Sequence, residues 1–457
     1  MAVEVDLCIL GAGQAAMPLA RKFDKAGRRV AIVEREALGG SCVNFGCAPS
    51  KAVIAAAERV HAIRDAAKFG IRVGEVTIDF QRVMDRARGI VSRFRGNVEG
   101  EVRTLRHLSL HRGHGRFAGA ADGRITIAID GGETIVARHA VIDTGTRTKR
   151  PDIEGIESVP YVTAENWVAM SRRPEHVVFL GAGYIGLELS QFFRRMGSRV
   201  SVIDHNPRVL THEDDDVADA LRQYLADEGI EFHLGADVRR VAERRGGFRV
   251  EIDGGIVVDG TCLFAATGRE PNVRDIGLDS IGVRLDEKGA IEVDDQFRTS
   301  VPKVFAVGDV RGGPMFTHAA WDDHRVVADV LLGEGRRSAR GRVMPYAVFT
   351  DPELGRVGQT EREARAAGGD VRVARFDMAN NSKAIEGGHT RGFVKLVIDP
   401  AADRLLGAAV LSTAGGELIG TFTTLMNAGA TLQTMRDAIY VHPTLTQALQ
   451  TAALLDE

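Results

Sequence analysis

Residues able to do chemistry are concentrated in the segment Gly39-Gly40-Ser41-Cys42-Val43-Asn44-Phe45-Gly46-Cys47-Ala48-Pro49-Ser50-Lys51, which holds two of the four cysteines. In an ideal helix, residues with the spacing of Cys42 and Cys47 have Cα atoms ~8.6 Å apart, from a rise of ~1.5 Å per residue and a radius of ~2.3 Å. A disulfide needs less than ~7 Å. A bridge therefore requires a distorted turn, and Asn44 and Gly46 are residues that permit one. The pair reads first as a redox disulfide. A metal pair and two inert buried thiols are the alternatives, the former lacking nearby His or Cys partners at ligand spacing.

Such thiols need elements that bring an electron carrier to them, and the chain repeats one such element. Val5 to Leu10 leads into Gly11-Ala12-Gly13-Gln14-Ala15-Ala16, a helix from Met17 to Lys25, and a strand ending at Glu34. Val177 to Leu180 leads into Gly181-Ala182-Gly183-Tyr184-Ile185-Gly186, a helix to about Arg195, and a strand ending at Asp204. First glycine and terminal acid are 23 positions apart in both, 34 − 11 and 204 − 181. This is the spacing of βαβ dinucleotide-binding units. The glycines let backbone approach a pyrophosphate at the positive end of a helix, and the acid accepts bonds from ribose hydroxyls. Ala16 takes the place of the third glycine in the first unit, an accepted variant.

Other segments read as supports. A largely helical stretch is expected from Pro49 to Arg106, followed by short strands with turns at Asp122-Gly123 and Asp130-Gly131. Buried strands from Thr261 to Ala266 and from Val304 to Val307 close at Thr267-Gly268 and Gly308-Asp309, placing small residues and a carboxylate at a sheet's carboxyl edge. Beyond Ser338 the pattern changes to longer strands and helices. The stretch Arg336 to Arg342 reads as a solvated connector, and Glu213-Asp214-Asp215-Asp216 as a helix's first turn.

The chain has 457 residues, room for about three domains at roughly 100–200 residues each. Hydrophobic residues are 44% and charged residues 26%, a globular balance that argues against extensive disorder. A net charge of −3 and no long basic run give no sign of nucleic acid or an anionic membrane as partner. Four cysteines are too few for a disulfide scaffold in a chain this long. With no basic n-region before Leu7 and no apolar run near ~18 residues, the expected location is the cytoplasm.

These motifs together resemble the pyridine nucleotide-disulfide oxidoreductases, flavoproteins that include lipoamide dehydrogenase, glutathione reductase and mercuric reductase. The resemblance covers essentially the whole chain. It rests on the cysteine segment, Gly181 to Glu188 (GAGYIGLE), Ala266 to Asn272 (ATGREPN), Thr299 to Asp309 (TSVPKVFAVGD), Phe349 to Glu361 (FTDPELGRVGQTE) and His442-Pro443-Thr444. It implies an α/β fold of two Rossmann-like dinucleotide-binding domains plus a C-terminal α+β dimerisation domain. The expected boundaries are 1–147 with 266–337 for FAD, 148–265 for NAD(P), and 338–457 for the interface.

By that resemblance, Gly11, Gly13, Ala16, Glu34, Gly40, Ser41, Lys51, Thr144, Gly145, Gly308 and Asp309 would hold FAD. Gly181, Gly183, Tyr184, Gly186, Asp204 and Gly268 would serve the nicotinamide dinucleotide, with Tyr184 gating its pocket. Cys42 would be the outer, interchange thiol and Cys47 the inner, flavin-contacting one. Lys51 would sit by the flavin paired with Glu188. His442, supplied by the second subunit of an obligate homodimer, would be the acid-base partner of Cys42. The expected activity is transfer of electrons between nicotinamide, flavin, the Cys42–Cys47 couple and a small disulfide or dithiol, in the layout of lipoamide dehydrogenase. Metal ions, quinones or other acceptors are the alternative, and a redox-responsive flavoprotein of weak turnover is a further one.

The sequence departs from the family pattern at Gln447, where a glutamate usually supports the histidine. An amide still accepts the ring N–H but offers no charge to imidazolium, so slower thiol-disulfide exchange is expected unless a nearby acid such as Asp456 or Glu457 compensates. Cys8 and Cys262 lie in strands and read as packing residues. With no cysteine beyond position 262 and no metal-binding N-terminal extension, a dedicated mercury enzyme is disfavoured. Asp204 favours NADH over NADPH, against the nearby His205 and Arg208. Arg21 is read either as an anionic-substrate contact or as a solvated helix position.

Overall fold

The computed structural model describes residues 2–455. Its first sheet is ordered Leu108–Arg112, Val30–Glu34, Val3–Leu10, Thr134–Ile142, Arg124–Ile129, Gly115–Ala121, with Val304–Ala306 also pairing Thr134–Ile142. The central strands are parallel, Leu7 lying opposite both Val30 and His139. Residues Val30 to Val33 are all buried, as befits a strand covered on both faces. Helix Ala16–Lys25 packs against helix Thr317–Leu332 on one side of this sheet.

The second sheet repeats the plan in parallel strands ordered Ile230–Leu234, Arg199–Asp204, His176–Leu180, Cys262–Ala265 and Tyr161–Val162. A three-stranded antiparallel sheet, Val238–Arg244, Gly247–Ile252 and Ile256–Gly260, flanks it. Two chain crossings join the first and second sheets, and there Thr146–Thr148 pairs antiparallel with Arg269–Pro271. The C-terminal sheet is antiparallel, ordered Pro345–Val348, Glu353–Gly358, Arg404–Ser412, Phe393–Asp399, Arg372–Asp377, and helix Gly415–Asn427 packs across it.

One expectation is refined and two need correction. The helical stretch from Pro49 to Arg106 is two helices, Cys47–Asp65 and Phe80–Val102, separated by a short 3-10 turn and an extended segment. Gly70 at φ +75° turns the chain out of the first, and Asp79 caps the second by accepting from Arg82 N. Only Asp215 and Asp216 fill the first turn of helix Asp215–Asp227. Glu213 and Asp214 turn inward, Glu213 accepting from Arg356 Nε at 2.9 Å and Asp214 lying 3.3 Å from Lys395 Nζ. These buried pairs tie the second unit to the C-terminal sheet. Nor is Arg336 to Arg342 all solvated, since Arg342 bonds the buried Asp323 at 2.9 Å.

Candidate active site

The break between the two cysteines lies at Phe45 and Gly46. A short helix Gly40–Asn44 ends, Phe45 takes φ −149°, Gly46 takes φ −96° and ψ −114°, and a new helix starts at Cys47. Gly46 is required by space: a Cβ there would lie 3.0 Å from Ser41 O and 3.4 Å from Cys42 Cα. Asn44 remains helical and serves as a pin. Its Nδ2 donates to Ala37 O, Leu38 O and Gly40 O at 3.3, 3.0 and 2.9 Å, while its Oδ1 accepts from Arg95 Nε at 2.9 Å.

The fold thus brings the two thiols within hydrogen-bonding reach of each other, both free. Cys47 is lowered to about 6, chiefly by the hydrogen bond from Cys42 and further by the Thr317 hydroxyl, 3.1 Å away, and the charge of Lys51. Cys42 is pushed up by the same shared bond and by burial. Cys47 also occupies the first turn of a 19-residue helix, whose dipole favours a thiolate. The inner sulfur is therefore the thiolate and the outer one the thiol. Cys8 and Cys262, each buried and pushed up to about 12, are inert by comparison.

One turn beyond Cys47, Lys51 extends Nζ to Glu188 Oε2 at 2.7 Å and lies 4.3 Å from the Phe349 ring centroid. Glu188, 4% exposed, also accepts from Phe349 N at 2.9 Å. Residues from all three sheet systems meet at this pair. Tyr184 starts helix Tyr184–Arg195, and burial raises its phenol to about 12, so it is neutral. These groups line one cleft of about 560 Å³ that runs from Gly11, Gly13 and Glu34 past Cys42 and Cys47 to Tyr184. Gly40, Ser41, Thr144, Gly145, Gly308 and Asp309 line it too. Asp309 accepts from Thr146 Oγ1 at 3.3 Å, and burial holds its carboxyl above the usual range.

The residues fit two dinucleotides. Gly11 has φ +100° and would place a Cβ 2.3 Å from Asp143 O; Gly181 has φ +111° and would place one 2.3 Å from Ala266 O. Each terminal acid holds its own loop: Glu34 Oε2 accepts from Ala12 N at 2.8 Å, Asp204 Oδ2 from Ala182 N at 2.6 Å. A Cβ on Gly40 would approach Gly13 Cα to 3.0 Å, so the cysteine helix and first loop touch by backbone. Glycine here preserves a cradle that side chains would fill. Gly181, Gly183, Gly186, Asp204 and Gly268 of the second unit do not line this cleft, and neither does Ala16 of the first.

His442 does not line the cleft. It stands exposed beside Ile439 and Val441, and its Nδ1 lies 2.9 Å from Gln447 Oε1. The amide oxygen can only accept, which makes Nδ1 the donor and leaves Nε2 free for a thiol. Asp456 and Glu457 lie outside the described residues. Arg21 pairs with Glu101 at 3.0 Å. Among the described residues no group of three or more His, Cys, Asp or Glu could hold a metal. Sequence reasoning missed Thr317, whose type carries no signal before the fold brings it 270 positions back to Cys47. It also missed Asp143, for which a signal existed: Asp143-Thr144-Gly145 parallels Ala266-Thr267-Gly268.

Two dinucleotide loops converging on a dithiol define a flavin- and nicotinamide-dependent oxidoreductase acting on sulfur. The chain belongs to the pyridine nucleotide-disulphide oxidoreductases, whose family model matches residues 5–323, and it carries that family's dimerisation domain at residues 344–453. It is 34% identical to the dihydrolipoyl dehydrogenase of Halobacterium salinarum, covering 98% of this chain and 95% of the relative. The mercuric reductase of Streptomyces lividans is 32% identical over 98% of this chain and 95% of its own. The solved structure of the HOCl-induced flavoprotein disulfide reductase RclA from Escherichia coli superposes with a TM-score of 0.90 at 31% identity, covering 99% of this chain and all of that one. The protein is an FAD-dependent NAD(P)H disulfide oxidoreductase.

Proposed function

We propose that the physiological substrate is a small disulfide or dithiol of the dihydrolipoyl type, with NADH preferred over NADPH. The observation that carries this reading is the inequality of the two thiols, Cys47 poised as thiolate and Cys42 as thiol at one cleft. FAD, when bound, exchanges two electrons between nicotinamide and the sulfur couple. Tyr184 closes the nicotinamide side, Lys51 holds positive charge beside the ring position, and Cys42 exchanges with substrate. His442 of the partner subunit takes the Cys42 proton, oriented through Nδ1 by Gln447.

NADH is favoured because Asp204 faces the ribose position, and because Arg208, the nearest guanidinium, is already engaged by Asp215 at 3.1 Å and Asp219 at 3.2 Å. The unit boundaries 1–147 with 266–337, 148–265, and 338–457 are supported by the sheet pairings. A cytoplasmic homodimer is the corresponding assembly. No helix among the described residues is long and apolar enough to cross a membrane.

Anaerobic titration with NADH tests the relay. A long-wavelength absorbance that grows on reduction and changes in Cys42→Ser supports it, whereas flavin bleaching without that absorbance, unaffected by Cys42→Ser, refutes it. Lipoamide, oxidised glutathione and mercuric ion assayed side by side decide the acceptor. Gln447, an amide in the place of a carboxylate beside His442, favours a second reading, reduction of metal ions or quinones with little need for acid-base work. Gln447→Glu discriminates: faster lipoamide turnover, with the pH-rate limb moved upward, supports disulfide exchange, and an unchanged rate and profile supports the second reading.

A further inference from the structure

The two nucleotide-binding units of this chain serve as mutual controls. Gly11 N bonds Val33 O at 2.8 Å as Gly181 N bonds Ile203 O at 2.8 Å. Asp143 N bonds Leu10 O at 2.8 Å as Ala266 N bonds Leu180 O at 2.8 Å. Asp143 is thus the counterpart of Ala266, and each is followed by Thr-Gly. The second unit shows that this place needs only a methyl group. The first puts a carboxyl there, 6% exposed and at the wall of the cleft.

That carboxyl is wedged between two glycines. A Cβ on Gly13 would lie 2.8 Å from both of its oxygens, and one on Gly308 would lie 3.2 Å from Oδ1, whereas a Cβ on the matching Gly183 would meet nothing within 4 Å. Oδ2 accepts from Ala16 N at 3.1 Å, and this is its one hydrogen bond among the described residues. The helix of the first unit accordingly starts at Ala16, while that of the second starts two positions earlier in register, at Tyr184.

The charged groups around Asp143 do not offset it. Glu34, at the end of Val30–Glu34, Asp309, after Val304–Ala306, and Asp323, on helix Thr317–Leu332, all act to raise its carboxyl, after burial as the largest cause. The nearby cations are spent elsewhere: Arg311 Nε and Arg342 Nη1 each lie 2.9 Å from Asp323. This is the loop where the FAD diphosphate must lie, against the positive end of the first helix. An ionised Asp143 would add a buried like charge beside the diphosphate, whereas the neutral acid can donate its O–H to it.

We propose that Asp143 is an additional FAD-binding residue that meets the cofactor's diphosphate as the neutral acid, so that FAD binding weakens as pH rises through the range where the empty site ionises, one proton being taken up there on binding. The proton comes from solvent on binding and returns to it on release. The proposal rests on FAD as the cofactor and not on the choice of substrate.

Holoenzyme and its Asp143→Asn variant are dialysed to equilibrium against graded FAD between pH 6 and 9, and bound flavin is read by absorbance. For one linked proton the Kd rises up to ~10-fold per pH unit over the linked range. The amide cannot ionise, so the variant's Kd stays constant within about twofold and is lower than wild type at pH 9. A flat wild-type profile, a variant with the wild-type slope, or a variant that loses FAD at every pH overturns the proposal. Should Asp143→Asn fail to fold, Asp143→Ala, which copies Ala266, takes its place with the same criteria. Heats of FAD rebinding to wild type in two buffers of different ionisation enthalpy give the proton count directly, and a count of zero at every pH from 6 to 9 also overturns it.

Discussion

Two thiols five residues apart become chemically unequal because the bond they share, the largest influence on each, lowers Cys47 and raises Cys42. Cys47 sits at a helix start with the Thr317 hydroxyl 3.1 Å away, whereas Cys42 donates into the shared bond. The thiolate form of Cys47 is therefore present above pH about 6 and lost below it. A hydrogen bond to a charged group is worth ~1.5–3 kcal/mol when buried, and Cys47 is partly open, so about one pH unit is the expected effect. Thr317→Val should raise the midpoint at which long-wavelength absorbance of the two-electron-reduced enzyme appears from about 6 toward ~7. Thr317→Ser should restore it. An unmoved midpoint in Thr317→Val would assign the lowering to the Cys42 hydrogen bond, with Lys51 and the helix dipole, and leave Thr317 no part in it.

At the scale of elements, the two βαβ units share a plan but differ in tightness. Gly186 is needed because a Cβ there would lie 2.2 Å from Gly181 O, whereas Ala16 is accommodated where the first helix begins later. Gly186→Ala must shift the second loop against the helix start. Overpacking of ~1–3 kcal/mol corresponds to about 5- to 150-fold. The KM for NADH should rise within that range while FAD content stays at wild type, and a variant that loses FAD with unchanged KM would contradict the division of labour between units.

This repeat was legible in the sequence because glycine spacing and terminal acids are local signals, and the strands around them are continuous apolar runs. The helical character of Pro49 to Arg106 was legible but its internal break was not, since Gly70 is a weak breaker and the extended stretch before Asp79 carries apolar residues that suit either state. Glu213 and Asp214 read as part of a helix's first turn, and Arg342 as part of a solvated connector, because charge in a sequence window says nothing of a buried partner outside it, such as Arg356 for Glu213 or Asp323 for Arg342. Thr317 was hidden for the same reason, since its segment meets Cys47 only in the folded molecule, whereas Asp143 was open to comparison with Ala266 through the Thr-Gly that follows each.

At the scale of the whole molecule, the subunit is held together at its reaction centre by Lys51, Glu188 and Phe349, one from each sheet system. Yet the exposed His442, with Ile439 and Val441 fully or largely open beside it, does not line its own chain's cleft. An isologous dimer makes each end of one chain meet the other end of its partner, so two half-sites become two complete ones. Mixing Cys42→Ser subunits with His442→Ala subunits under exchange conditions tests this arrangement. Each mixed dimer would contain one site lacking both groups and one with native Cys42 and native His442. Random pairing makes half of the dimers mixed, so recovery of ~25% of wild-type disulfide reduction is expected from two parents that are each nearly inactive. If His442 served Cys42 of its own chain, every site in the mixed dimers would lack one group, and no activity would return.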